Sequence, residues 1–261
     1  SQFTVGYLSG LRLFQVIIPF FFLPFLTNLQ FKTYFRYFII FIFIFSFFAL
    51  PIITLRRGPT VAIFLGLFVY FIFIKNKIVF VKYLSLLFFV LISFYLFFND
   101  IILSRFELRQ DKFERTIDID STLSEEDRFR EYSAVYNLIS KDLYSLFFGT
   151  NELFNTRNNY GRGFYADRRL HVDFTLLAHG SGILGLSMYL FIVIYLVKIG
   201  KKLSHFNNSL FGNKLISVYY SLIFVSLFVS LSGGIESISY RCLLFMSLGG
   251  IYGTLKSYYE N

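Results

Sequence analysis

Seven apolar stretches, each near the length needed to cross a hydrocarbon layer, leave this chain few ways to fold. They are read at about residues 12–30, 35–55, 59–74, 78–98, 171–197, 215–232 and 240–255. A layer of roughly 30 Å takes about 20 mainly apolar residues per helix, and only helices and closed barrels satisfy their own backbone there. Phenylalanine alone contributes 38 of the 261 residues, far beyond what a soluble core uses. The expected fold is therefore all-α, a polytopic transmembrane bundle of about seven spans. Transmembrane helices occupy residues 1–98 (about four spans) and 171–261 (about three). Between them, 99–170 is one long extracytoplasmic loop with short helices. Pro19 and Pro24 should kink the first span. The chain begins Ser1-Gln2 without a signal peptide, and its start reads as a cut. Cys242 is the one cysteine and excludes an intrachain disulfide.

Basic residues orient the bundle. Lysines 32, 75, 77, 82, 198, 201, 202, 214 and 256 fall on one set of loops, which is cytoplasmic by the positive-inside rule. Arginine divides the other way. Of 14, only Arg36 lies on the lysine side, whereas Arg12, Arg56, Arg57, Arg241 and nine in the 99–170 loop lie opposite. A guanidinium grips phosphate with two parallel hydrogen bonds and stays charged, so this face suits phosphate or pyrophosphate. The loop also carries thirteen acids, and most of its arginines read as ordinary surface ion-pair partners. Arg12, Arg56 and Arg57, near the membrane and without an adjacent acid, are the better phosphate candidates.

Within the loop, Ser124-Glu125-Glu126-Asp127 reads as a capping box opening a helix. Its apolar positions would be Phe129, Tyr132, Tyr136, Ile139, Leu143 and Leu146, with Gly149 as the stop. The helix is expected on the membrane surface or against the bundle. Residues 151–167 read as irregular, and Tyr160, Phe164 and Tyr165 could stack on sugar rings or rest on the interface. Asp118-Ile119-Asp120 resembles the metal-binding pair of nucleotide-sugar enzymes, but no α/β domain surrounds it, and as a calcium loop it lacks the required acid and glycine. No metal site is expected. Gly249 and Gly253 form a small-residue pair suited to helix packing. Glu236 and Arg241 bracket a short outer loop as a salt bridge or a substrate contact. There is no phosphate-binding loop, dinucleotide fingerprint, nucleophile elbow or zinc spacing.

The stretch HVDFTLLAHGSGILGL, 171–186, places His171, Asp173 and His179 where the long loop re-enters the membrane, just after Arg168 and Arg169. Polar groups there must be satisfied or kept wet. His171 and His179 lie about 12 Å apart along one helix, too far to share a metal. Packing is the commoner role for a helical histidine. Cations beside His171 would hold its imidazole neutral, which suits a general base.

With Thr54-Leu55-Arg56-Arg57-Gly58 upstream and an Arg-containing helix (Arg128, Arg130) ending at Gly149, the pattern HxDFxLLxxxxGxxGL resembles the bacterial O-antigen polymerase and O-antigen ligase superfamily. The similarity covers residues 50–197. Arg57 stands for the motif arginine, Arg56 where serine is usual, His171 for the motif histidine, and Gly182 and Gly185 for the two glycines. Val172 replaces asparagine, and His179 stands where an acid is common. Members usually have more than seven spans, which fits a chain lacking its N-terminal ones. The resemblance implies a metal- and cofactor-independent glycosyltransferase in the bacterial inner membrane, with its long loop periplasmic or extracellular. Its donor would be an undecaprenyl-pyrophosphate-linked oligosaccharide, its surroundings membrane lipid, and its protein partner a chain-length regulator; no nucleic acid is implied. His171 would be the base and Arg57 a catalytic cation. Arg56, Arg12, Arg168, Arg169, Asp173 and His179 would bind substrate. A ligase passing glycan to lipid A core would use the same parts. A flippase would need charges along a membrane path and an internal repeat, and neither is visible.

Overall fold

A computed structural model describes residues 12–26, 34–35, 37–38, 42, 57–75, 77–78, 81, 85, 127–150, 157–158, 168–170, 172–205, 210–232 and 238–260. The elements in order are α1 (Arg12–Leu26), α2 (Arg57–Phe73), α3 (Asp127–Ile139), α4 (Leu143–Phe148), β1 (Arg157–Asn158), β2 (Arg168–Arg169), α5 (Asp173–His205), α6 (Leu210–Ser232) and α7 (Ile238–Glu260). The described residues are thus helical apart from one two-residue antiparallel pairing, β1 with β2. Of the seven predicted spans, 35–55 and 78–98 fall largely outside the described residues. Two helices, Asp173–Ser204 and Phe211–Leu231, are long and apolar enough to cross a membrane, and the apolar stretch Val61–Phe73 is shorter. In α7, Gly, Ser and Thr dilute the apolar residues, and it does not join them.

The chain divides into two compact units, Ser1–Val81 with Leu190–Asn261, and Lys82–Tyr189. In the first, α6 is the central helix, packed on α1, α2 and α7. Gly66 makes part of this possible, because a Cβ there would overlap the Phe20 ring of α1 and Val225 of α6. Gly66→Val should therefore force these helices apart and lower the thermal midpoint of the purified protein; such an overpacked site costs about 1–3 kcal/mol. An unchanged midpoint would show that the three helices do not meet there. Polar groups are tied down locally. Ser217 and Ser221 donate to carbonyls four residues earlier, Tyr219 Oη donates to the Leu196 carbonyl at 3.0 Å, and the Lys75 amide donates to Asn213 Oδ1 at 2.8 Å. Cβ atoms at Gly249, Gly250 or Gly253 would meet nothing within 4 Å, so the predicted small-residue face packs on no described residue.

In the second unit the predicted single loop helix is two helices. The chain leaves α3 at Ser140, and Asp142 starts α4 afresh by accepting from the Ser145 amide at 2.7 Å and the Ser145 hydroxyl at 2.9 Å. These bonds hold the Asp142 carboxyl below the usual range, the amide bond contributing most. A depressed carboxyl stabilises above its unfolded value and ceases to as pH falls through its folded value. Asp142→Ala should therefore lower the thermal midpoint near neutral pH, and the gap from wild type should close as the carboxyl protonates. A gap that persists in acid would assign the loss to something other than this cap. The buried face of α3 also differs from expectation. It carries Glu131, Val135 and Ile139, while Tyr132 and Tyr136 are exposed. Val135 and Ile139 form a small core with Leu170, flanked by Leu146, Leu176 and Ala178.

The predicted span at 171–197 needs the largest correction. Gly182 interrupts α5 with φ 59° and ψ −157°, splitting it into a short arm, 173–181, and a long arm, 183–205. The rings of Phe174 and Tyr189 lie edge to face at 5.6 Å, yet on a straight helix their positions would be about 22 Å apart along the axis. The chain therefore turns back on itself between Phe174 and Tyr189. What remains straight, 183–204, is about 33 Å long, enough for one crossing. The short arm belongs with the loop helices.

Candidate functional site

The start of the short arm is the best-defined polar site among the described residues. A helix opens with amides that lack intrahelical acceptors, and here the acceptor comes from 41 residues away. Glu131, on the inner face of α3 and 1% exposed, accepts from the Val172 amide at 3.0 Å through Oε1. The same oxygen accepts from the Thr175 hydroxyl, which also lies 2.8 Å from the Val172 carbonyl. One hydroxyl proton serves one acceptor at a time. The Val172 carbonyl also accepts from the Leu176 amide at 3.0 Å. Val172, Asp173 and Thr175 are all buried. A carboxylate so enclosed is tolerable only because it is hydrogen-bonded, and its charge faces the positive end of the helix. Beside it, Arg130 Nη1 is buried with no hydrogen-bond partner among the described residues.

The far end of the short arm is held by the end of α4. Thr150 donates to the His179 carbonyl from its amide at 2.7 Å and its hydroxyl at 3.0 Å. These bonds satisfy a carbonyl that the bend takes out of the helical pattern. Thr150 Oγ1 also stands 3.3 Å from His179 Nδ1. Two glycines let the backbones meet. At Gly149 (φ 72°) a Cβ would come within 2.6 Å of the His179 carbonyl oxygen, and at Gly182 one would come within 2.5 Å of the Phe147 carbonyl. Both dihedral pairs lie where glycine is essentially alone.

Among the residues singled out in the sequence, His171 and Arg56 lie outside the described residues, as do Asp118, Asp120, Tyr160, Phe164, Tyr165 and Glu236. Arg12 and Arg57 are the first residues of α1 and α2. Both helices lack an acid in the first turn, and a helix N-terminus favours an anion. Arg168 and Arg169 form β2, whose register sets Arg169 opposite Arg157 and Arg168 opposite Asn158. The register thereby adds Arg157 to the arginines of interest. Asp173 and His179 are both nearly fully buried, Asp173 in the first turn of the short arm and His179 against Thr150. Among the described residues, no three His, Cys, Asp or Glu side chains gather as a metal site. Sequence reading passed over Glu131 and Thr150. Glu131 lies one helical repeat from Val135 and two from Ile139, and that spacing was its available signal.

Among the described residues, fold and site together define a mainly helical protein with two helices of membrane-crossing length, the first of them interrupted at Gly182 and its short arm tied to α3 and to the end of α4. Comparison with family models, with curated proteins and with solved structures finds no match to this chain.

Proposed function

We propose that this protein is a membrane glycosyltransferase that joins undecaprenyl-pyrophosphate-linked oligosaccharide repeat units on the outer face of a bacterial inner membrane. The observation that carries the reading is the HxDFxLLxxxxGxxGL stretch. Its Gly182 falls at a backbone position that only glycine occupies readily, and its first arm is tied at both ends to the loop that precedes it. In this reading the acceptor sugar's hydroxyl oxygen attacks the anomeric carbon of the donor. The bond from that carbon to the pyrophosphate oxygen breaks, His171 takes the hydroxyl proton, and undecaprenyl pyrophosphate leaves. Arg57, with Arg56 and Arg12, stabilises the negative charge on the leaving group, as fixed cations do where charge develops. Arg168 and Arg169, with Arg157, hold the donor's phosphates or sugars. Arginines opposed across β1 and β2, and a buried guanidinium nitrogen on Arg130, support an anionic ligand.

The test is reconstitution of the full chain with undecaprenyl-pyrophosphate-linked repeat units, without nucleotide, followed by gel separation of the lipid-linked products. A ladder of rising length is the expected result. Transfer of a single glycan to added lipid A core, with no ladder, would replace polymerisation by ligation. Movement of intact substrate across the bilayer with no new glycosidic bond would replace both by transport.

A further inference from the structure

We propose that the groove between α1, α6 and α7 seats one hydrocarbon chain of an anionic phospholipid, with Lys214 at its rim holding the phosphate. The site is independent of the glycosyltransferase reading and lies within the first unit. The groove has a volume of about 370 Å³ and is walled by Phe21 of α1, Leu215 of α6 and Met246 and Ile251 of α7. Its two hydroxyl residues, Ser247 and Thr254, turn back on their own helix. Ser247 donates to the Leu243 carbonyl and Thr254 to the Gly250 carbonyl at 2.9 Å. A site so lined holds hydrocarbon in preference to water. A Cβ at Gly250 would meet nothing within 4 Å, so the groove is open over that residue. From Met246 to Thr254 the lining runs about 12 Å along α7, most of the roughly 15 Å of hydrocarbon in one leaflet.

Charge decides which lipid. Phe211, Leu215 and Val218 of the lining mark one face of α6, and Lys214, three residues after the first and four before the last, falls on that face at helical spacing. It is partly buried. Helical side chains lean toward the N-terminus, so at the start of α6 a lysine lays its stem along the groove and carries its ammonium outward to the headgroup layer. Further lysines converge on this end. The Lys75 amide bonds Asn213 Oδ1, next to Lys214. Gly200, whose Cβ would come within 2.9 Å of the Tyr219 and Tyr220 rings, brings the exposed Lys201 and Lys202 of α5 alongside α6. Against them, the described residues of this unit contain one acid, Glu260. A second copy of the chain would therefore set lysine against lysine here. A phospholipid brings a phosphate to Lys214 and a chain to the groove in one molecule, and basic sites between membrane helices bind such headgroups.

The experiment titrates dioleoylphosphatidylglycerol, with dioleoylphosphatidylcholine as the neutral-headgroup control, into the delipidated full chain in a neutral detergent. Bound lipid is read by native mass spectrometry and its effect by thermal midpoint. Wild type should bind phosphatidylglycerol more tightly than phosphatidylcholine and gain midpoint with it. Lys214→Gln should lose about fivefold in phosphatidylglycerol affinity and keep its phosphatidylcholine affinity. Gly250→Leu, which puts a side chain into the open groove, should weaken both lipids about tenfold. Gly249→Leu, at a position equally open but outside the lining, should bind as wild type does. Lys214→Gln carries the test should Gly250→Leu fail to fold. Equal affinity of wild type for the two lipids, or an unchanged preference in Lys214→Gln, overturns the headgroup assignment. Wild-type binding in folded Gly250→Leu overturns the groove as the chain's seat. Displacement of the lipid by glycerol 3-phosphate at matched concentration also overturns it, because the phosphate alone would then account for binding. A dimer that Gly250→Leu converts to monomer, with lipid binding intact, gives the groove to a second copy instead.

Discussion

His171→Ala is expected to insert in the membrane, bind the lipid-linked donor and form no polymer. General-base assistance is worth about 10²- to 10⁴-fold, or about 3–5 kcal/mol of barrier, and no other histidine can replace it. His179, in the same arm, is nearly fully buried against Thr150, and His205 ends the long arm of α5. Arg57→Ala should give the same null ladder for a different reason. It removes a fixed positive charge from the departing pyrophosphate, so donor binding as well as turnover should fall, whereas His171→Ala should spare binding. Gel analysis of products with a parallel donor-binding assay separates the two effects. Polymer of normal length from either variant would end the assignment of that residue.

Gly182→Ala is expected to cost about 2–6 kcal/mol, a large share of a normal folding free energy. Two effects add. The φ 59°, ψ −157° conformation is strained for any residue with a Cβ, by about 1–3 kcal/mol. The new methyl would also lie 2.5 Å from the Phe147 carbonyl carbon and oxygen and 2.6 Å from the Leu146 carbonyl oxygen. All three are backbone atoms that cannot swing aside, and overpacking of this kind costs about 1–3 kcal/mol. Thermal unfolding and the rate of proteolysis within the 127–150 segment should both report the loss. Gly149→Ala, whose Cβ would meet the His179–Ser181 backbone from the other side, should behave alike. Wild-type resistance in both variants would mean that the end of α4 does not close over the bend.

The reading of Gly182 shows how far sequence reached. Its place in the HxDFxLLxxxxGxxGL pattern was visible, but an apolar run from Phe174 to Val197 reads as one straight span, because a glycine within a helical pattern lowers helix propensity without showing a turn. The Gly182 dihedrals and the Phe174–Tyr189 contact disclose the bend. Glu131 was harder still. Among Glu125, Glu126, Asp127, Arg128 and Arg130 it looks like one more solvated charge. Its burial depends on the 172–175 turn, whose place beside α3 no local pattern encodes. Tyr132 and Tyr136 misled for the complementary reason: aromatic rings suggested the buried side of α3, whereas the side that meets the short arm carries Glu131, Val135 and Ile139.

Sequence by itself determined two apolar runs long enough to cross a membrane and helical residues on both sides of Ser140. These follow from local composition, since a run of apolar residues has the same transfer free energy wherever the chain takes it. Tertiary structure alone decided that the chain turns back at Gly182, that α4 closes the turn, and that a buried glutamate holds the residues following His171. Each depends on two backbone segments meeting within hydrogen-bonding distance across 29 to 44 residues of chain, and such a meeting is a property of the folded whole.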